Sequence, residues 1–439
     1  MTVVNMAKQE ESTDIDINNY SEEPWSLIES YFSGQHLRQL VRHQIESYND
    51  LTDIQIPKTI AMFNPVHVKS EQDYNKTYDK YQLEMFITFN NFSIHRPQIH
   101  ENNGATKLMF PQSARLRNFT YASTMTVDMS IKYIVRSGTK LESEQTFYKN
   151  LPGIHIGKLP IMLQSQICVL QQYKHVPHTI TGECNMDPGG YFIINGSEKT
   201  CLGQERAAEN RVQCFNISKN NSKWSWSAEI KSIPDDKCIS PKQITMYISS
   251  KNNGFGNGIS IQIPRIKVPI PIFIVFRALG VITDEEICNC IVLDITNKNS
   301  ITEKLLSALR GAIVEANKYL TEEQALVYIT QQAMYTPLNM DKETGIRKKR
   351  EFTMDVLTND LFPHCKTSTQ KKYFLGYMAN QLLKCSFGLR SPDDRDSYIN
   401  KRIDLTGTLI NNLFRNYLNK LVKDMQKQIV REINNGSWR

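Results

Sequence analysis

The residues whose types and spacing could do chemistry fall into a few small groups. Asp393, Asp394 and Asp396 put several carboxylates close together, the ligand type that hard divalent cations require. Arg395, Lys401 and Arg402 stand among them, and a helical pattern follows. Helix capping and ion pairing are therefore the expected roles of Asp393, Asp394, Arg395 and Asp396. His175 and His178 lie three apart with Cys168 and Cys184 nearby, but those spacings are too irregular for a tetrahedral zinc set. Cys288 and Cys290 form a C-x-C that no second pair or neighbouring His completes. The glycines from Gly189 to Gly196 suggest a phosphate loop, yet neither G-x-x-x-x-G-K-[ST] nor G-x-G-x-x-G occurs, and that reading is rejected.

Basic and amide side chains on a turn remain. Asp187-Pro188-Gly189-Gly190 is turn chemistry, because Pro fixes φ and the glycines accept positive φ. Tyr191 to Ile194 reads as a short buried strand, and Asn195-Gly196 is a strong hairpin signal. The returning limb then carries Ser197-Glu198-Lys199 and Gln204-Glu205-Arg206. Upstream, Arg115 and Arg117 share a face if their segment is extended. They would track nucleic acid or order the local structure, and the structural role is the expected one. Taken alone, Lys and Arg at such positions are solvated surface or ion-pair partners.

The elements that position these groups can be read from periodicity. Residues 1–20 are polar and acidic, with too little apolar content to offset the entropy of ordering, and read as a flexible tail. Leu27, Ile28, Tyr31 and Phe32, then Leu37, Leu40, Val41 and Ile45 after Gly34, predict two short helices. Tyr121, Met125, Val127, Met129, Ile131, Tyr133 and Val135 alternate with polar residues, which predicts a half-buried strand. The stretch from Gln82 to Ile94 reads the same way more weakly. Ile259, Ile261 and Ile263 share one parity and Ile266, Val268, Ile270 and Ile272 the other, which predicts strand on both sides of a break at Pro264. Leu305, Leu306, Leu309, Ile313 and Val314 return to helical spacing. Leu409 to Ile433 trace an apolar helical stripe that needs a partner surface, expected to be the first β-rich unit. Strands followed by helices, without strict alternation, predict an α+β fold.

Composition sets the broad class. A length of 439 residues suggests more than one domain. No apolar run is long enough to span a bilayer, and the N-terminal stretch lacks the apolar core of a signal peptide, so no membrane partner is expected. Nine scattered cysteines read as reduced thiols in a reducing compartment. A net charge of +7 is compatible with a nucleic-acid partner without requiring one.

Three blocks go further. They are FPQSARLRNFTYAS (Phe110 to Ser123), HIGKLPIMLQS with DPGGYFIINGSEKTCLGQERAAENRV (His155 to Val212), and SPDDRDSYINKRIDLTGTLINNLFRNYLNKL (Ser391 to Leu421). In order and spacing they resemble the second-largest subunits of eukaryotic, archaeal and viral multisubunit RNA polymerases. The resemblance extends over nearly the whole chain after the tail. It implies a protrusion at 21–207, a lobe inserted at 208–397, and a return of the protrusion at 398–439 as a long amphipathic helix.

The resemblance also implies a role. The limb after Asn195-Gly196 would face the RNA–DNA hybrid, with Lys199 and Arg206 on phosphates and Gln204 on sugar or phosphate. The expected partners are the largest subunit, smaller polymerase subunits, template DNA, the hybrid and initiation factors. No cofactor is expected in this chain, because the family's catalytic magnesium is held mainly by the largest subunit. The chain would be nuclear if cellular, and in host cytoplasm, a viral factory or the virion if viral. Its Asn-, Ile- and Lys-rich composition favours a large DNA virus first and a protist second. Two rivals stay open: an assembly scaffold with no nucleic-acid contact, and a stand-alone nucleic-acid-binding protein on the same scaffold.

Overall fold

The computed structural model describes residues 24–32, 36–75, 78, 80–138, 141–173, 175–217, 222–235, 240–297, 299–336 and 342–436. The expected tail and Gly34 lie outside them. The fold is α+β, and the chain divides into two compact units, one formed by Met1–Gly203 with Leu405–Arg439 and the other by Gln204–Asp404.

The first unit opens with helices α1 (Pro24–Phe32), α2 (His36–Asp50) and α3 (Ile56–Met62). Strands β1 (Val66–Lys69), β4 (Leu83–Ile94), β7 (Ala122–Ser137) and β8 (Ser143–Pro160) form an antiparallel sheet in the order β1-β4-β7-β8. Short hairpins pair β2 (Tyr74–Asn75) with β3 (Lys80–Tyr81), and β5 (Gln98–His100) with β6 (Thr106–Leu108). Helix α4 (Pro111–Leu116) precedes β7, and the short helices α5 (Val169–Gln172) and α6 (His178–Thr181) follow β8. β9 (Phe192–Ile194) and β10 (Ser197–Lys199) form a further hairpin. In β7 the alternation holds through Ile131, with Met125, Val127 and Ile131 buried on one face of the pleat, but further on Ile134 is buried and Val135 exposed.

The return segment is one helix, α13 (Thr406–Asn434). Its Leu418 and Val422 join Ile45, Tyr48 and Leu51 of the α2 region and Met85, Ile87 and Val127 of the sheet in a single core. Burying each aliphatic side chain there contributes about 1.5–3 kcal/mol. Gly407 sets the closest approach: a Cβ on it would lie 2.0 Å from Ser47 O. The Gly407 N–H donates to Ser47 Oγ at 3.0 Å, and Thr406 Oγ1 donates to Gln44 Oε1.

In the second unit, β11 (Gln204–Ala207) pairs with β17 (Lys401–Asp404). An antiparallel five-stranded sheet runs β12 (Gln213–Asn216), β13 (Trp224–Ser232), β14 (Lys242–Asn252), β15 (Asn257–Gln262), β16 (Ile270–Pro271). Six helices accompany it among the described residues: α7 (Ile272–Ala278), α8 (Asp284–Val292), α9 (Ser300–Ala316), α10 (Glu322–Gln332), α11 (Lys342–Asp355) and α12 (Ser368–Ser386). Their core joins Ile230, Ile244, Met246 and Ile261 to Phe273, Phe276, Leu309, Met378 and Leu382. Arg277 is 1% exposed and donates to Ala316 O at 2.8 Å and Tyr319 O at 2.7 Å. It thereby satisfies carbonyls at the C-terminal end of α9, where a cation is also favoured by the helix dipole. Asp284, 2.6 Å away, balances its charge.

One expectation fails here. Of the strand expected from Ile266 to Ile272, only Ile270–Pro271 forms, and Ile272 instead opens the helix α7, Ile272–Ala278, which is buried at every position. A short, wholly apolar run cannot be assigned to strand or helix by period, because no polar face marks the repeat. Pro271 at the N-cap is compatible with the helix start.

Candidate nucleic-acid interface

The β9–β10 hairpin is built as the Asn-Gly dipeptide requires. Ile194 pairs with Ser197, Ile193 with Glu198 and Phe192 with Lys199. Asn195 (φ +50°) and Gly196 (φ +77°) both occupy the left-handed region, the conformation of a two-residue type I′ turn. Gly196 is required for space as well, because a Cβ would stand 2.5 Å from Asn118 Oδ1. The tip is tied down: Gly196 N–H donates to Phe119 O at 3.0 Å and Asn195 N–H to Thr120 Oγ1 at 3.1 Å. At the base, Leu163 N–H donates to Tyr191 O at 2.9 Å, and Gly190 N–H to Leu163 O at 3.0 Å. This rigid hairpin presents Lys199 in solvent, and its ammonium meets no carboxylate among the described residues.

Arg115 lies beneath the same hairpin. Its segment is helical, not extended, so Arg115 on α4 and Arg117 just after it do not share a strand face. The expectation had assumed an extended chain, but Pro111 at the first helical position starts a helix. Arg115 Nη1 donates to Glu183 at 2.8 Å, Nε to Glu198 at 2.8 Å, and Nη2 to Tyr191 OH at 2.7 Å. Tyr191 in turn donates to Asp187. Burial works to lower the Arg115 pKa, but the carboxylates of Glu183 and Glu198 hold it above its ordinary value. The guanidinium is consumed by these partners. Arg117 is similarly engaged, making a two-bond fork to Glu101 at 2.7 and 3.1 Å and stacking over the Phe119 ring.

In the second unit, Gln204 is exposed opposite Asp404 on β17. Arg206 is clamped: Nε donates to Asp404 at 2.7 Å and Nη2 to Glu209 at 3.0 Å. Arg402, directly across the ladder from Arg206, donates only to the carbonyls of Ile399 and Lys401 and meets no carboxylate among the described residues. Sequence reasoning gave Arg402 no separate role. No local sequence signal marks it, because its cross-strand position and the pairing of Arg206 with Asp404 are set by the fold.

The Asp cluster is structural in its described contacts. Asp393 accepts two bonds from Arg390, at 2.9 and 2.8 Å, and one from Cys214 N–H at 2.9 Å. Asp394 Oδ1 accepts from Asp396 N–H at 2.9 Å. Arg395 reaches Glu229 at 3.0 Å and lies over the Phe215 ring at 4.0 Å. None of them caps a helix, contrary to expectation. The strand Lys401–Asp404 intervenes, and α13 takes Leu405 as its N-cap. Cys288 and Cys290 are buried on α8. Burial raises the Cys288 thiol pKa to about 11, with Asp284 assisting.

Comparison with known proteins places this architecture. The family model described as RNA polymerase beta subunit matches residues 39–438. The DNA-directed RNA polymerase II subunit 2 of Arabidopsis thaliana is 33% identical over 427 residues, covering 94% of this chain and 34% of that protein. The DNA-directed RNA polymerase II subunit RPB2 of Schizosaccharomyces pombe is 34% identical over 426 residues, covering 92% and 33%. The DNA-directed RNA polymerase subunit Rpo2N of Methanothermobacter thermautotrophicus is 29% identical over 419 residues, covering 94% and 75%. The chain thus spans about a third of the length of the eukaryotic relatives it matches. With 400 consecutive positions matched (39 through 438) across both units, the chain belongs to the RNA polymerase beta subunit family and corresponds to the N-terminal part of the second-largest subunit.

Proposed function

We propose that this chain works in DNA-templated RNA synthesis as the cleft-side protrusion and lobe of an assembled RNA polymerase. The first unit would be the protrusion and the second the lobe. Lys199 on its rigid hairpin would meet phosphates of the RNA–DNA hybrid, with Gln204 exposed to sugar or phosphate. Arg115, Arg117 and Arg206 would instead hold the local structure. Phosphoryl transfer from a nucleoside triphosphate needs metal-held phosphates. In this reading the magnesium is held by the largest subunit, and this chain supplies surface and positioning. Its partners would be the largest and smaller polymerase subunits, template DNA, the hybrid and initiation factors. The eukaryotic relatives favour the nucleus for a cellular chain; a viral one would act in cytoplasmic factories or virions.

The observation that carries the reading is the family match through both units, joined to a hairpin that leaves Lys199 uncompensated. A second reading, an assembly scaffold without nucleic-acid contact, is favoured by the carboxylates that neutralise Arg115, Arg117 and Arg206. A stand-alone nucleic-acid binder is the third.

The test isolates the tagged chain from its source, identifies its partners and assays templated RNA synthesis with wild type and Lys199→Glu. Co-purification with a largest subunit and slowed, salt-sensitive elongation by the variant are expected. An active polymerase indifferent to Lys199→Glu would favour the scaffold. Absence of any polymerase partner would overturn the reading.

A further inference from the structure

A cavity of about 630 Å³ opens within the second unit, inside the range of roughly 300–1,000 Å³ common to small-molecule sites. Its floor is one row of the sheet. Trp226 on β13 lies opposite Ile248 on β14, and Ile248 opposite Ile259 on β15, so the three side chains share a face. Two helices supply the walls through their own repeat. Lys304, Ser307 and Ala308 on α9 are spaced i, i+3, i+4, and so are Leu383, Ser386 and Phe387 at the end of α12. The turn between β14 and β15 closes one end with Phe255, and it is fixed in place. Asn252 Oδ1 accepts from the Gly254 and Gly256 N–H groups at 2.8 and 2.9 Å, and Asn253 Nδ2 donates to Gly311 O on α9 at 3.0 Å. A Cβ on Gly311 would stand 2.5 Å from Gly256 C, so only glycine permits that approach. The cavity is preformed, and a ligand entering it bears little of the cost of ordering the turn.

The chemistry of the lining is specific. Ile248, Ile259 and Leu383 are buried, while Phe255 and Phe387 stay 66% and 43% exposed on the walls. With Trp226 they make three aromatic side chains around one space, which favours an aromatic guest in offset or edge-to-face contact. Lys304 supplies the one charge. No Asp or Glu lines the cavity, and Lys304 makes no ion pair among the described residues. Ser225 and Ser386 donate their hydroxyls to Ile248 O and Leu383 O. The Ser307 hydroxyl makes no hydrogen bond among the described residues and sits three positions from Lys304, on the same helix face.

We propose that this cavity binds a small aromatic monoanion, an aryl carboxylate in chemical class. The ring lies on the Trp226–Ile248–Ile259 floor between Phe255 and Phe387. The carboxylate pairs with Lys304 and accepts from the Ser307 hydroxyl, so that both groups answer one anion. A cation would meet Lys304 with no carboxylate to offset it, and a second negative charge on the guest would have no partner in the lining.

The experiment titrates 2-naphthoate and its neutral counterpart 2-naphthamide into the full chain by calorimetry, with Lys304→Ala and Ser307→Trp as variants. Wild type should bind the acid about 10-fold more tightly than the amide, as a charge-assisted contact does. Lys304→Ala should remove that preference by weakening the acid alone, which a general loss of packing would not do. Ser307→Trp fills the cavity and should abolish binding of both. Both residues are exposed, so each variant should keep its circular dichroism and melting temperature. The same titration on the assembled polymerase should retain binding, and the free-chain result stands whatever the chain assembles with. Four outcomes would overturn the proposal: no binding of either probe, acid binding unmoved by Ser307→Trp, equal weakening of acid and amide by Lys304→Ala, or binding lost on assembly, which would assign the cavity to a partner polypeptide.

Discussion

Arg115 Nε and Glu198 Oε1 are 2.8 Å apart, although 83 residues separate them in sequence. The contact joins α4 to the returning limb of the β9–β10 hairpin. Successive side chains of a strand leave opposite faces, so Glu198 turned toward Arg115 leaves Lys199 directed elsewhere. Two adjacent charges thus take separate tasks, one holding the hairpin and the other facing solvent.

That division predicts opposite outcomes for two arginine-to-alanine and lysine-to-alanine changes. Arg115→Ala leaves Glu183, whose side chain is only 7% exposed, without its cation. A loss of about 3 kcal/mol is expected, since removing one partner strands the other buried charge. Lys199→Ala should change stability by less than about 0.5 kcal/mol, the range for an exposed site without partners. Urea unfolding followed by circular dichroism distinguishes them, and equal effects would contradict the division of roles.

Gly196→Ala tests the turn. The residue is held at φ +77°, and the added methyl would meet Asn118 Oδ1 and Arg115 O. Conformational strain alone costs about 1–3 kcal/mol, and the clash adds to it. Asn195→Gly, by contrast, keeps a residue that accepts positive φ and should fold normally. Amide exchange at Ser197 to Lys199 would report the difference directly.

Much of this could be read from residue order, and what could not has a physical cause. The period-two pattern of β7, the Asn195-Gly196 turn and the stripe of α13 each carry a local signature, and the strand, the turn and the helix form where expected, although Val135 of the strand and Leu413, Tyr417 and Leu421 of the stripe stay exposed. Helix α7 does not, because an all-apolar run has no polar face to mark its repeat. The pairings of the candidate residues were not legible in the sequence. Nothing local to Arg206 announces Asp404, 198 positions away, and nothing local to Arg115 announces Glu183 or Glu198. Ion pairs made across a fold depend on topology, so a basic residue in a promising motif can be spent before any ligand arrives.

Thiol reactivity should follow burial. Cys168, Cys214, Cys288, Cys290, Cys365 and Cys385 are buried, whereas Cys184 is exposed and Cys201 half-buried. Burial raises the Cys214 pKa to about 12 and that of Cys288 to about 11, which withholds the reactive thiolate at neutral pH. Among the described cysteines, iodoacetamide on the native chain should label Cys184 first and Cys201 more slowly. The six buried thiols should react only after denaturation, and mass spectrometry of the digests reads the order. Early labelling of Cys288 would mean that α8 opens far more readily than its packing implies.

The last prediction concerns pH. His364 accepts or donates a 2.6 Å bond with Ser232 Oγ, and its Nε2 is buried with no hydrogen-bond partner. Burial lowers its pKa below the ordinary imidazole value, with Asp235 opposing and Lys371 assisting. The unfolded chain therefore binds this proton at a higher pH than the folded one does. The sign follows from linkage: stability from this group is complete above the unfolded pKa of about 6.5 and is lost as pH falls through the lower folded value. Melting temperature of the second unit should drop on acidification across that window, with Trp224 and Trp226 as fluorescent reporters in β13. His364→Gln cannot titrate, keeps a polar group near Ser232, and should flatten that part of the profile even if its melting temperature at neutral pH is lower. An unchanged slope in the variant would show that the proton is taken up elsewhere and that His364 is not the linked group.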